Sequence, residues 1–79
     1  MFRTLVKTEA VAAGNRMVWV RYFELRTVRG GKRYSAEIQV GPGDRIILDD
    51  DSVVNLEART ARLVPATLYS RLLARATAA

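Results

Sequence analysis

The chain contains no cysteine and no histidine. Without cysteine there is no disulfide framework and no thiolate nucleophile. Without histidine, the usual zinc ligand and the commonest neutral-pH general base are also missing. No catalytic, cofactor-binding or metal-ligating set is visible among the remaining Asp, Glu, Lys, Ser and Tyr residues, and no glycine-rich phosphate loop is present. The expectation is a protein that is not an enzyme and takes no cofactor and no small-molecule substrate. Long apolar runs are absent too. Nothing approaches the roughly 20 residues that a membrane-spanning helix requires, and Arg3, Lys7 and Glu9 interrupt the first residues where a secretory signal would be apolar. These features predict a cytoplasmic location and no membrane partner.

What remains is 79 residues, enough for one small domain over 1–79 with a single core. The charge is unevenly placed. Residues 1–33 carry eight basic residues against Glu9 and Glu24, whereas the rest of the chain is close to neutral within its total of +5. A basic front half points toward a polyanionic partner such as nucleic acid.

Two glycine-containing pairs, Gly14-Asn15 and Gly30-Gly31, separate β-rich runs and read as two-residue hairpin turns. Folding about them sets Ala12 opposite Met17, Ala10 opposite Trp19, Val6 opposite Phe23, Thr27 opposite Tyr34 and Leu25 opposite Ala36. The predicted inner face then holds Val6, Thr8, Ala10, Ala12, Met17, Trp19, Phe23, Leu25, Tyr34, Ala36, Ile38 and Val40. Arg21 falls on that face opposite Thr8 and Val40, at the margin or paired with an acid of Asp49–Asp51.

After a Gly41–Asp44 turn, residues 45–49 can add a fourth strand, and Asp49-Asp50-Asp51-Ser52 reads as a helix start. Three consecutive aspartates lack the spacing of a calcium loop, so helix capping is the reading. Val53, Leu56, Thr60, Leu63 and Val64 form one helical stripe, and Leu68, Tyr69, Leu72, Leu73 and Ala76 form another about 150° away. Pro65 lies between them, which predicts a break or sharp kink at 64–66 with Thr67 capping a second helix, or else one kinked helix. The fold class is α+β: an antiparallel meander of three to four strands followed by one or two C-terminal helices on one sheet face.

Two surfaces stand out. The predicted outer face carries Leu5, Val11, Val18, Val20 and Tyr22, an apolar patch within a charged rim, and reads as an interface with a second copy or another protein unless the second helix covers it. The hairpin tip gathers Arg26, Arg29, Lys32 and Arg33, which suits contacts to nucleic-acid phosphates. Tyr22 is the one aromatic side chain on the outer face available to stack a base, since Trp19, Phe23 and Tyr34 fall on the core side. This order of strands and helix is similar to that of some small DNA-binding domains, such as the arm-binding domains of certain integrases, without a shared motif. The chain therefore reads as a binding protein that assembles through the outer sheet face and can touch nucleic acid through the basic hairpin, or alternatively as a dedicated DNA- or RNA-binding module.

Overall fold

The computed structural model describes the backbone of residues 3–78 and the side chains of residues 3–74. Four antiparallel strands, β1 (Arg3–Ala13), β2 (Arg16–Arg26), β3 (Lys32–Gly41) and β4 (Asp44–Asp50), lie in the order β1-β2-β3-β4. One helix, α1 (Val53–Ala78), follows and packs on one face of the sheet.

The first turn is the expected one. Ala13 pairs with Arg16 across Gly14-Asn15, and Ala12 and Ala10 meet Met17 and Trp19. A bulge between Leu5 and Lys7 then puts Leu5, not Val6, opposite Phe23.

The second turn differs from expectation, with a large consequence. Arg26 pairs with Lys32, leaving the five residues 27–31 as the loop. Gly30 N–H donates to the Thr27 carbonyl at 3.0 Å, closing a β-turn over Val28 and Arg29, and Thr27 N–H donates to the Gly31 carbonyl at 2.9 Å. Gly30 itself is left-handed (φ +81°), as the residue after such a turn in a hairpin must be. Tyr22 therefore faces Ala36 and Val20 faces Ile38, a displacement of three residues from the two-residue-turn register. An odd displacement exchanges the faces of one strand relative to its neighbour. On β3 the inner set Tyr34, Ala36, Ile38 and Val40 stands as read, while β1 and β2 are inverted over it.

The core consequently contains Val18, Val20, Tyr22, Ala36, Ile38 and Val40 of the sheet with Leu56 and Val64 of α1, and Val11, Ile46, Leu48 and Leu68 at its margin. Val18, Val20 and Tyr22 are at most 2% exposed. They are the middle of the protein and not a free outer surface, which corrects the interface expected there. Met17 and Trp19 have moved the other way and lie open to solvent.

Helix α1 begins as the aspartate run indicates. Ser52 Oγ accepts the Asn55 N–H at 3.2 Å, and Asp50 Oδ1 accepts the Ser52 N–H at 3.1 Å. Arg59 ties the start down by donating to the Asp49 carbonyl at 2.9 Å and to Asp50 Oδ2 at 3.3 Å. The helix does not break at Pro65, so Thr67 caps nothing. Leu56, Thr60, Val64 and Leu68, four residues apart, cross the sheet as a single row. At 1.5 Å per residue the helix is roughly 39 Å long, against roughly 24 Å for the seven residues of β4 and roughly 37 Å for the eleven of β1 and β2, so it runs well past β4. The molecule is accordingly elongated, 49 × 20 × 17 Å. The second stripe, with Tyr69 and Leu72, stays exposed. Arg71 ties the later turns of the helix to the start of β4 through a two-pronged pair with Asp44 (2.8 and 3.2 Å).

Two stability predictions follow from this packing. Pro65 is exposed and leaves the Ala61 carbonyl without its helical donor. Pro65→Ala is expected to raise stability by up to about 3 kcal/mol in urea unfolding, and a loss would mean that the packing of α1 on the sheet depends on the proline. In the core, the Tyr22 and Thr60 hydroxyls are buried without a well-formed hydrogen bond. Burial raises the Tyr22 phenol above its ordinary value, and the neighbouring Thr60 hydroxyl only partly opposes this. The double variant Tyr22→Phe/Thr60→Val should unfold at equal or higher urea, because two polar atoms leave an apolar layer with little change of shape.

Candidate functional site

The face of the sheet turned away from α1 is built by one set of alternating residues from each strand. Across it, Thr8 of β1 meets Arg21 of β2, Arg21 meets Glu37 of β3, and Glu37 meets Ile47 of β4. The next row is Leu5, Phe23, Ser35 and Asp49, and beyond it Arg3, Leu25 and Arg33. Toward the other end lie Ala10 with Trp19 and Ala12 with Met17.

No helix covers this face, yet its centre is buried. Phe23 and Ser35 are nearly inaccessible, and the Glu37 side chain is only 4% exposed. Arginines provide the cover. Arg3 lies over the Phe23 ring with its guanidinium 3.8 Å from the centroid, and the Arg21 guanidinium stands 5.9 Å away. This geometry suits the attraction between a cation and a ring face. All three nearby arginines converge on one carboxylate. Arg21 donates to Glu37 Oε1, Arg3 approaches Oε2 at 3.5 Å and Arg45 approaches Oε1 at 3.5 Å. Burial pushes the Glu37 carboxyl up, but the Arg21 hydrogen bond and the charges of Arg21, Arg45 and Arg3 outweigh it and hold the group below the usual carboxylate range. The result is a band of guanidiniums from β1 to β4, anchored on one side and about half open to water on the other.

Around this band the exposed apolar side chains are Trp19 at 60%, Met17 at 59%, and Leu5 and Ile47 at 52% each. Trp19 lies on the same side of β2 as Arg21, two residues away or about 7 Å. Its cross-strand neighbour is Ala10, too small to cover an indole.

The sequence-predicted site residues are placed as follows. Arg26, Arg29, Lys32 and Arg33 are exposed and gathered at the β2–β3 end of the sheet, with Lys32 3.4 Å from Glu24. Of the apolar group, Leu5 alone is exposed on the outer face. Val11 is partly buried against the core, and Val18, Val20 and Tyr22 lie under the helix, so Tyr22 cannot stack a base. Arg21 is on the open face against Glu37, not on the core face against Val40. Lys7 and Glu9 lie on the helix side, where Lys7 reaches Glu57 at 2.7 Å. That contact raises the lysine above its ordinary value, burial and Glu9 being lesser influences.

Sequence reasoning missed Trp19, Met17 and Ile47 as open-face residues, and missed the Arg3–Arg21–Arg45–Glu37 cluster. A signal for them exists: Arg21 marks the side of β2 that cannot face an apolar core, and Trp19 shares that side. Compared with known family models, curated proteins and solved structures, the chain matches none.

Glu37 gives a pH prediction. Its folded-state affinity for protons is below the unfolded value near 4.5, so its stabilisation is complete above that value and is lost as the pH falls below it. Glu37→Gln should cost on the order of 1 kcal/mol at neutral pH, since the arginines stay partly in water. Urea unfolding of the two proteins should converge as the pH is lowered past 4.5, and a gap that persists undiminished in acid would refute the charge-anchoring role.

Proposed function

We propose that this is a non-catalytic binding protein whose working surface is the open sheet face together with the basic β2–β3 end, and whose partner is nucleic acid. One observation carries the reading: the guanidinium band of Arg3, Arg21 and Arg45 on an uncovered sheet face. It continues into Arg33 on the same face and into Arg26 and Arg29 at the adjoining hairpin end. The acids on that face are Glu37, buried and already shared by three arginines, and Asp49 at the β4 margin. A surface of this sign and shape meets phosphates with donors that are fixed in place before binding.

The apolar residues Leu5, Met17, Trp19 and Ile47 support a second reading, assembly with another protein through the same face. Face-to-face pairing of two copies is opposed by charge, because it sets one arginine band against another.

Light-scattering mass across protein concentration, with and without short nucleic acids, separates these readings. The expected result is a monomer whose mass rises only with nucleic acid. Its affinity should fall with salt on a log–log slope of roughly −3 for four to five phosphates on a single strand. The triple variant Arg26→Gln/Arg29→Gln/Arg33→Gln should flatten that slope by about two units. A defined oligomer indifferent to nucleic acid would instead assign the face to protein assembly.

A further inference from the structure

Trp19 is 60% exposed in the body of the sheet, and its position narrows the class of nucleic acid. We propose that the open face takes single-stranded nucleic acid, with one base stacked on the Trp19 indole while Arg21 and its neighbours hold the adjoining backbone; this rests on the nucleic-acid reading above.

The argument against a duplex is one of shape. Four strands spaced about 4.8 Å apart make a platform roughly 14 Å wide before side chains are added. The major groove is about 12 Å wide and the minor groove about 6 Å, so this face does not fit flat into either groove of an undistorted duplex. Such a duplex would meet the arginines through its outer phosphates, with its stacked bases away from an indole set among Ala10, Met17 and Arg21. A single strand has free base faces, and stacking on an aromatic side chain beside a basic track is how such strands are held without sequence readout.

The immediate surroundings of Trp19 admit either sugar. Ala10 stands opposite it and leaves the indole open, while Thr8, paired with Arg21, and the exposed Gln39 on the same face of β3 offer polar groups nearby.

Trp19 is the only tryptophan in the chain, so its emission reports on this face directly. Wild-type protein is titrated with an oligodeoxythymidine, an oligouridine of equal length and a mixed-sequence DNA duplex. The expected pattern is strong quenching by oligodeoxythymidine and oligouridine and little by the duplex, and the relative affinity of the two single strands assigns the sugar. With a labelled oligodeoxythymidine followed by anisotropy, Trp19→Ala should bind about tenfold more weakly, and Trp19→Phe, which keeps a stacking ring, should stay within about threefold. Unchanged urea midpoints for both variants would show that the fold is intact. Salt-sensitive binding with no change in emission and no loss in Trp19→Ala would overturn the stacking inference and leave the nucleic-acid reading standing. Quenching by the duplex equal to that by either single strand would overturn the single-strand inference, and absence of binding to all three probes would overturn the nucleic-acid reading itself.

Discussion

Arg21 sits in the middle of β2, in the run Met17-Val18-Trp19-Val20-Arg21-Tyr22-Phe23, where every other residue is apolar. A strand of this composition could bury either side, and the charge decides between them. With Arg21 toward α1, a guanidinium would enter the apolar layer of Val20, Ile38 and Leu56, away from Glu37, and an unpaired buried charge is among the costliest defects a small domain can hold. With Arg21 outward, it meets Glu37 across the β2–β3 ladder and keeps about half of its side chain in water. The loop at 27–31 is the backbone solution that permits this pairing. A turn over Val28 and Arg29 with Gly30 left-handed sets the register that joins Arg21 to Glu37. Gly31 contributes as well, since a Cβ there would come within 3.2 Å of Thr27 Oγ1.

The same constraint explains which parts of the fold were legible in the sequence. The β3 run is polar at Ser35, Glu37 and Gln39 and apolar at Ala36, Ile38 and Val40, so its inner face follows from alternation alone. The Gly14-Asn15 turn fixed the β1–β2 pairing near the hairpin, and the Asp-Ser run marked the helix start. The face assignment of β1 and β2 was not legible by alternation, because both sides of β2 are apolar and β1 mixes small, polar and aliphatic residues on each side. It hung on loop length. Two consecutive glycines suggest a two-residue turn, but a turn one and a half residues earlier satisfies Thr27, Gly30 and Arg21 together. Because the displacement is odd, one misplaced loop inverted two strands and moved the tryptophan from the core to the surface.

Of the two arrangements that Pro65 allowed, the chain takes the single continuous helix. The two apolar stripes on α1 do diverge, but the helix need not bury both. Leu56, Thr60, Val64 and Leu68 form the row packed on the sheet, while Tyr69 and Leu72 flank the β1–β2 turn and stay exposed. Sequence periodicity shows where apolar residues lie on a helix; which of them are covered depends on the surface opposite. Arg71 ties the later turns to Asp44 at the start of β4.

The open face solves a problem that a two-layer domain always has, namely what to do with the side of the sheet that no helix covers. Here Phe23 and Ser35 are shielded by arginines, and the arginines are in turn held by a single buried carboxylate. Glu37 offers at most four lone-pair sites, whereas three guanidiniums carry fifteen N–H donors between them. Most of those donors must point to water or to another anion. The cluster that shields Phe23 is therefore also an ordered set of unsatisfied donors carrying net positive charge. A binding partner that replaces water there pays little to order the side chains, because Glu37 and the Phe23 ring have already done so. Structural cover and anion recognition thus draw on the same residues, and the exposed indole of Trp19 about 7 Å along β2 adds an apolar, planar contact next to the charge.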